Sequence, residues 1–133
     1  FTGKRILLAE DNELNWEIAC ELLSAHGFSL EWAKNGKECI EKFLDSVPGT
    51  YDAVLMDIRM PEMDGYEATR IIRASERPDA GLPIIAMTAD VFTEDIRRCL
   101  ECGMDGHIAK PLDVGKFLKM IGKYLNRKQN GGK

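Results

Sequence analysis

Five residues, far apart in the chain, carry side chains that could do chemistry together. Glu10 and Asp11 follow the apolar run "RILLA", Asp57 directly follows "VLM", Thr88 closes "PIIAMT", and Lys110 follows "GHIA". Taken singly, most have ordinary readings. Asp11-Asn12 could cap a helix, Thr88 could cap the next one, and Lys110 could be a solvated cation. Asp57 has no capping duty, because the helical pattern after it starts only near Gly65. Brought to one place, these residues form an all-oxygen acidic cluster with one ammonium. Two like charges about 4 Å apart repel by roughly 4 kcal/mol at an effective dielectric of 20. Crowded carboxylates therefore raise one another's pKa or recruit a cation. Without His or Cys nearby, the set suits Mg²⁺, with Mn²⁺ as the alternative. Such an ion keeps several waters and takes one or two carboxylates plus a phosphate. A divalent ion beside a carboxylate is a site ready for phosphoryl transfer. Lys110 supplies a further positive charge, and Asp57 is the candidate nucleophile, forming an aspartyl phosphate.

The elements that must position these residues can be read from hydrophobic period. "RILLAE", "FSLEWA", "DAVLMD", "LPIIAMT" and "GHIAK" read as strands. Between them lie helical patterns: Leu14, Ile18, Leu22 and Ala25; Ile40, Phe43, Leu44 and Val47; "GYEATRIIRASE"; and "FTEDIRRCLECG". A last helix carries Val114, Phe117, Leu118, Ile121 and Leu125. Strands alternating with helices predict a parallel sheet covered on both faces. The continuously apolar strands 1, 3 and 4 belong in its centre, and the alternating second strand at an edge. This predicts an α/β, flavodoxin-like doubly wound (βα)5 fold, with a five-stranded parallel sheet in order 2-1-3-4-5. Ligands of such sheets bind beyond the carboxyl ends of the strands, which is where all five residues fall. Trp16 lies off the Leu14/Ile18/Leu22 stripe and is expected to stand exposed beside the site as a docking anchor. In the "MPEMDG" turn, Pro61 is expected to stiffen the chain and Gly65 to relax it.

The motifs "LLAEDN", "VLMDIRMPEMDG", "PIIAMTA" and "GHIAKP" resemble, as a set, the receiver domain of two-component response regulators, over Lys4 to Leu125. By that resemblance Asp57 is the phosphoacceptor and Glu10 and Asp11 organise Mg²⁺. The backbone carbonyl of Arg59 completes the metal site. Thr88 is the hydroxyl that turns toward the phosphoryl group, Lys110 contacts it, and the bond before Pro111 is cis. The family's switch position, usually Tyr or Phe, is His107 here. The resemblance implies a surface, the fourth helix through the fifth (Phe92 to Leu125), that changes on phosphorylation. The wording of "AEDNELN" and "MDIRMPEMDGYEATR" is most similar to receiver modules of hybrid sensor histidine kinases. The implied partner is therefore a histidine kinase or a histidine phosphotransfer domain. Such a domain catalyses its own phosphorylation and dephosphorylation without being a turnover enzyme, and the parent chain could itself be a kinase.

Length and composition bound the alternatives. The 133 residues suit one domain, read as 1–126, followed by a basic Gly-containing tail at 127–133. Phe1 in place of Met is what an excised module would show. A net charge of −4 argues against direct nucleic-acid binding. No apolar stretch approaches the roughly 20 residues of a bilayer span, so no membrane insertion is expected. Four cysteines, with "CLEC" unaccompanied by a second Cys or His pair, read as free thiols in a reducing cytoplasm. Three rivals remain. A haloacid-dehalogenase-like aspartyl-phosphate hydrolase wants a second acid two residues after its nucleophile, where this chain has Arg59. A flavodoxin-like cofactor domain wants small residues after strand 1, where this chain has "EDNELN". A receiver that has lost its chemistry would be expected to lack Asp57, Thr88 or Lys110, and all three are present.

Overall fold

The computed structural model describes residues 3–89 and 93–131, and the side chains of 3–89 and 95–125. Phe92, where the expected readout face begins, and residues 132–133 lie outside the described residues, as do the side chains of the expected tail. Five strands alternate with five helices: β1 Arg5–Ala9, α1 Glu13–Ser24, β2 Ser29–Ala33, α2 Gly36–Asp45, β3 Ala53–Asp57, α3 Gly65–Ala74, β4 Ile84–Thr88, α4 Thr93–Cys102, β5 Gly106–Ala109 and α5 Val114–Gly131. All strand pairs are parallel and the order is β2-β1-β3-β4-β5, as the apolar patterning predicts. Register aligns the strand ends: Ala9 pairs with Met56, Asp57 with Met87, and Thr88 with Ala109. The residues that close or follow β1, β3, β4 and β5 therefore meet at one edge.

Alternation along each strand divides the core in two. Leu7, Ala9, Val54, Met56, Ile84 and Ala86 face α2, α3 and α4. Ile6, Leu8, Leu55, Ile85, Met87 and Ile108 face α1 and α5. Short polar side chains start the helices. Asn12, Asn35 and Asp64 each accept the main-chain N–H three residues on, at 2.8 to 3.0 Å. Among the described residues no helix is long and apolar enough to cross a membrane.

Two helix faces differ from the pattern reading. In α1 the expected stripe is the outer one: Leu14 is 64% exposed, Ile18 45% and Leu22 38%. Ala19 and Leu23 are buried instead, and Trp16 packs partly against the same core. This helix is apolar on both sides, so period alone does not set which side meets the sheet. Small Ala19 permits close approach, and Trp16 finds a partner in Trp32. In α2, Cys39, Ile40 and Phe43 are buried, whereas Leu44 and Val47 are exposed. The helix ends at Asp45, and Arg77 takes the freed Leu44 and Ser46 carbonyls at 3.0 and 2.8 Å. Val47 is thus beyond the helical phase.

Arg77 also stacks over the Phe43 ring at 4.5 Å and pairs with buried Asp79 at 2.9 Å. The Arg77 hydrogen bond, against the opposing cost of burial and with help from the Gly49 N–H, lowers the Asp79 pKa. A carboxyl depressed in the folded state stabilises fully above the unfolded value of about 4, and the contribution is lost as pH falls through the folded value. Asp79→Asn is accordingly expected to cost about 2 kcal/mol at pH 7. Urea unfolding should show the difference from wild type shrinking below about pH 4.

Candidate functional site

The ends of β1, β3, β4 and β5 deliver polar groups to a cleft of about 250 Å³. Glu10, Asp11, Asp57, Thr88 and Lys110 line it, together with Ile58 and Arg59. Asn12, not Asp11, caps α1, which leaves the Asp11 carboxylate exposed and available. Glu10, Asp11 and Asp57 each place one carboxylate oxygen within 4.8 Å of the others. Lys110 bridges two of them: its Nζ donates to Asp57 Oδ2 at 2.9 Å and lies 3.1 Å from Glu10 Oε2. Glu10 Oε1 accepts the Asn12 N–H at 3.1 Å, and Asp57 Oδ1 accepts the Arg59 N–H at 3.3 Å.

Glu10 and Asp57 are 1% and 4% exposed, so their charges are poorly hydrated. Burial, then the Asp57 charge, raises the Glu10 pKa. For Lys110, burial opposes the charged form, but the hydrogen bond to Asp57 and the charges of Asp57 and Glu10 outweigh it, and its pKa is raised. Three carboxylates and one ammonium leave two negative charges in the cleft, the amount one divalent cation balances. The donors are oxygens only, which fits a hard ion such as Mg²⁺.

The β3–α3 connection shapes the cleft's rim. The positive φ in this turn belongs to Glu62, at 66°, and the Met63 N–H reaches Pro61 O at 2.7 Å. Gly65 serves close approach instead. A Cβ there would collide with Asp57 O and come within 2.9 Å of Met56 Cγ, so only Gly lets α3 begin against the strand that carries Asp57. The Arg59 side chain turns outward, 78% exposed, with Nη2 4.0 Å from Asp95. The Lys110–Pro111 bond is cis.

Two further residues named from the sequence stand outside the cleft. His107 does not line the cleft. It is half-buried on β5, opposite Ala86, beside a separate hollow bordered by Lys116 and Met120. Trp16 is not the exposed anchor expected of it; its ring stacks on Trp32. Two residues with roles at the cleft were not singled out from sequence. Asn12 braces Glu10 through its N–H, and Trp32 Nε1 donates to the Glu10 carbonyl at 2.7 Å. The one signal for Trp32 was an indole, with its polar handle, in an otherwise alternating edge strand.

A family profile described as the response regulator receiver domain matches residues 6–122. Among curated proteins, a probable histidine kinase of Oryza sativa subsp. japonica is 39% identical over 92% of the chain, which spans 14% of that protein. A hybrid signal transduction histidine kinase of Dictyostelium discoideum is 37% identical over 90% of the chain, which spans 7% of it. Among solved structures, the receiver domain of a Pseudomonas aeruginosa sensor histidine kinase, with magnesium ion coordinated in its active-site cleft, aligns with a TM-score of 0.83. It is 34% identical and covers 94% of this chain and 99% of its own. The receiver domain of the Saccharomyces cerevisiae response regulator Ssk1, in complex with the histidine phosphotransfer protein Ypd1, aligns with a TM-score of 0.82. It is 27% identical and covers 96% of this chain and 92% of its own. These matches do not favour the hydrolase alternative.

Proposed function

Because the chain belongs to the response regulator receiver domain family of two-component and phosphorelay signalling, we propose that it accepts a phosphoryl group on the Asp57 carboxylate. The observation that carries this is the cluster itself, three carboxylate oxygens within 4.8 Å around one shared ammonium. Asp11, Asp57 and the main-chain carbonyl of Arg59 would hold Mg²⁺, with Glu10 acting through water; Mn²⁺ is the alternative ion. When bound, the ion supplies positive charge to the phosphoryl oxygens. An Asp57 oxygen attacks phosphorus, the P–N bond of a phosphohistidine breaks, and the imidazole leaves with the electron pair and takes up a proton. Lys110 holds Asp57 in place beforehand and offsets charge afterwards. The buried Thr88, at the end of β4, would donate its hydroxyl to a phosphoryl oxygen. His107, one strand away, would follow Thr88, and the face from α4 to α5 would report the change.

The donor's surface is proposed to be the outer face of α1. Leu14, Ile18 and Leu22 are exposed there, and Ile18 opens into a hollow shared with Ala19, Lys110, Pro111 and Leu112. That hollow adjoins the cleft, with Glu10, Asn15, Met87 and Lys110 lining both. An apolar face beside the acceptor suits a histidine phosphotransfer domain, which must bring its phosphohistidine to Asp57. The yeast co-crystal pairs a receiver with such a protein. The kinase relatives, of which this chain matches a small part, support a parent hybrid histidine kinase, and the free cysteines support a reducing cytoplasm as its compartment.

One experiment covers both readings. The chain is incubated with a phosphorylated histidine phosphotransfer protein, or with acetyl phosphate, with and without EDTA. Uptake is expected from both donors and is lost on chelation. A Leu14→Asp/Ile18→Asp variant should lower the ratio of protein-donor to acetyl-phosphate uptake at least about tenfold. Metal-independent uptake would overturn the site, and an unchanged ratio would overturn the docking face.

A further inference from the structure

Both tryptophans of the chain lie in one stack beside the acidic cleft. Trp16 in α1 and Trp32 in β2 have ring centroids 5.4 Å apart and planes within 4° of each other. Lys34 Nζ sits 5.4 Å from the Trp32 ring centroid. The indole is therefore held by an aromatic face and by a cation. Its Nε1–H is aimed at one acceptor, the main-chain carbonyl of Glu10, at 2.7 Å.

That carbonyl has a particular position. Ala9 is the last residue of β1 and pairs with Ala33. The Glu10 N–H still reaches Ala33 O at 3.0 Å, but its carbonyl has left the ladder. Both main-chain polar groups of Glu10 thus end on β2, one through the backbone and one through the Trp32 side chain. The Glu10 carbonyl also belongs to the peptide unit that leads into Asp11, and such units are planar. Fixing this oxygen fixes the plane joining the two residues of the acid pair. Asp11 is exposed, and no side-chain hydrogen bond to its carboxylate is seen among the described residues. The direction of its carboxylate depends on that plane.

We infer that Trp32 is a positioning residue of the metal site: its indole N–H sets the Glu10–Asp11 peptide plane and so aims the acid pair into the cleft. The inference rests on the metal reading proposed above. Groups that orient ligands without touching the ion commonly tune its affinity. Edge strand β2 is thereby tied to the site chemistry, to which it contributes no ligand of its own.

Trp32→Phe keeps the ring stack and deletes the N–H. Mg²⁺ titration of the full chain is expected to show about threefold to tenfold weaker binding in this variant, at a near-wild-type melting temperature. A purely structural role would instead lower the melting temperature and leave the affinity unchanged. An indole ¹⁵N NMR titration of the wild type does not depend on the stability of Trp32→Phe. The Trp32 Nε1–H resonance, identified as the one remaining in Trp16→Phe, should shift with the same midpoint as Mg²⁺ binding. A wild type that binds no Mg²⁺ overturns the metal reading and this inference together. A wild type that binds it, while Trp32→Phe has equal affinity or the Trp32 resonance stays still, overturns this inference alone.

Discussion

An Asp57→Asn protein is expected to take up phosphoryl groups at background level, a loss on the order of a thousandfold or more. The amide keeps the shape of the side chain and removes the nucleophilic oxygen pair. No neighbour can take its place. Glu10 is buried, with one oxygen accepting from Asn12 and the other beside Lys110. Asp11 starts outside the strand and is exposed, without the ammonium that fixes Asp57. The variant should fold, because Lys110 retains Glu10 at 3.1 Å when one negative charge is lost. Intact-mass measurement after acetyl phosphate treatment with Mg²⁺ checks the expectation. Substantial uptake by Asp57→Asn at the wild-type rate would show that the acceptor lies elsewhere.

Lys110→Met is expected to have the largest effect on stability. Among the described residues, the Lys110 ammonium is the one cation that pairs with both Glu10 and Asp57. At about 3 Å and an effective dielectric of 20, each attraction is worth roughly 5 kcal/mol before desolvation is charged against it. Removing one partner of a buried pair commonly costs about 3 kcal/mol. Lys110 is one-quarter exposed, so solvent screening discounts this, and about 2 kcal/mol in EDTA is the expected loss. The pH dependence has a definite sign. Glu10 already binds its proton more tightly in the folded chain than an ordinary carboxyl does, and losing Lys110 raises it further. Between the unfolded and folded pKa values the folded state then carries more protons, so stability falls as pH rises. The deficit of the variant is therefore smaller near pH 5 than at pH 8. Mg²⁺ should recover more stability in Lys110→Met than in wild type, because it replaces the missing charge. Urea titrations with EDTA and with Mg²⁺ measure all three effects. Equal stability of the two proteins in EDTA would show that Lys110 does not hold the carboxylates together.

The sheet and the cluster were legible in the sequence for one reason. In a parallel sheet buried on both faces, strands read as apolar runs, and the first polar residue after each run marks an end. Asp57 after "VLM" and Lys110 after "GHIA" announce their own positions. What could not be read depends on contacts between elements. The periodicity of α1 shows two apolar faces and not which one the sheet takes, so Leu14, Ile18 and Leu22 looked like core and are surface. Gly65 looked like a flexible turn residue, whereas the steric demand comes from the end of β3, eight positions earlier. Trp32 acts on Glu10 across a strand pair, over twenty-two positions, and no local pattern encodes that bond.

The central claim is tested most directly by mapping the modification. The chain is treated with acetyl phosphate, with Mg²⁺ in one sample and EDTA in the other, and digested, and the peptides are sequenced by mass spectrometry. The phosphoryl group is expected on Asp57 alone and only in the Mg²⁺ sample. A group on Asp11, on Glu10 or on any other residue, or equal modification in EDTA, would contradict the account.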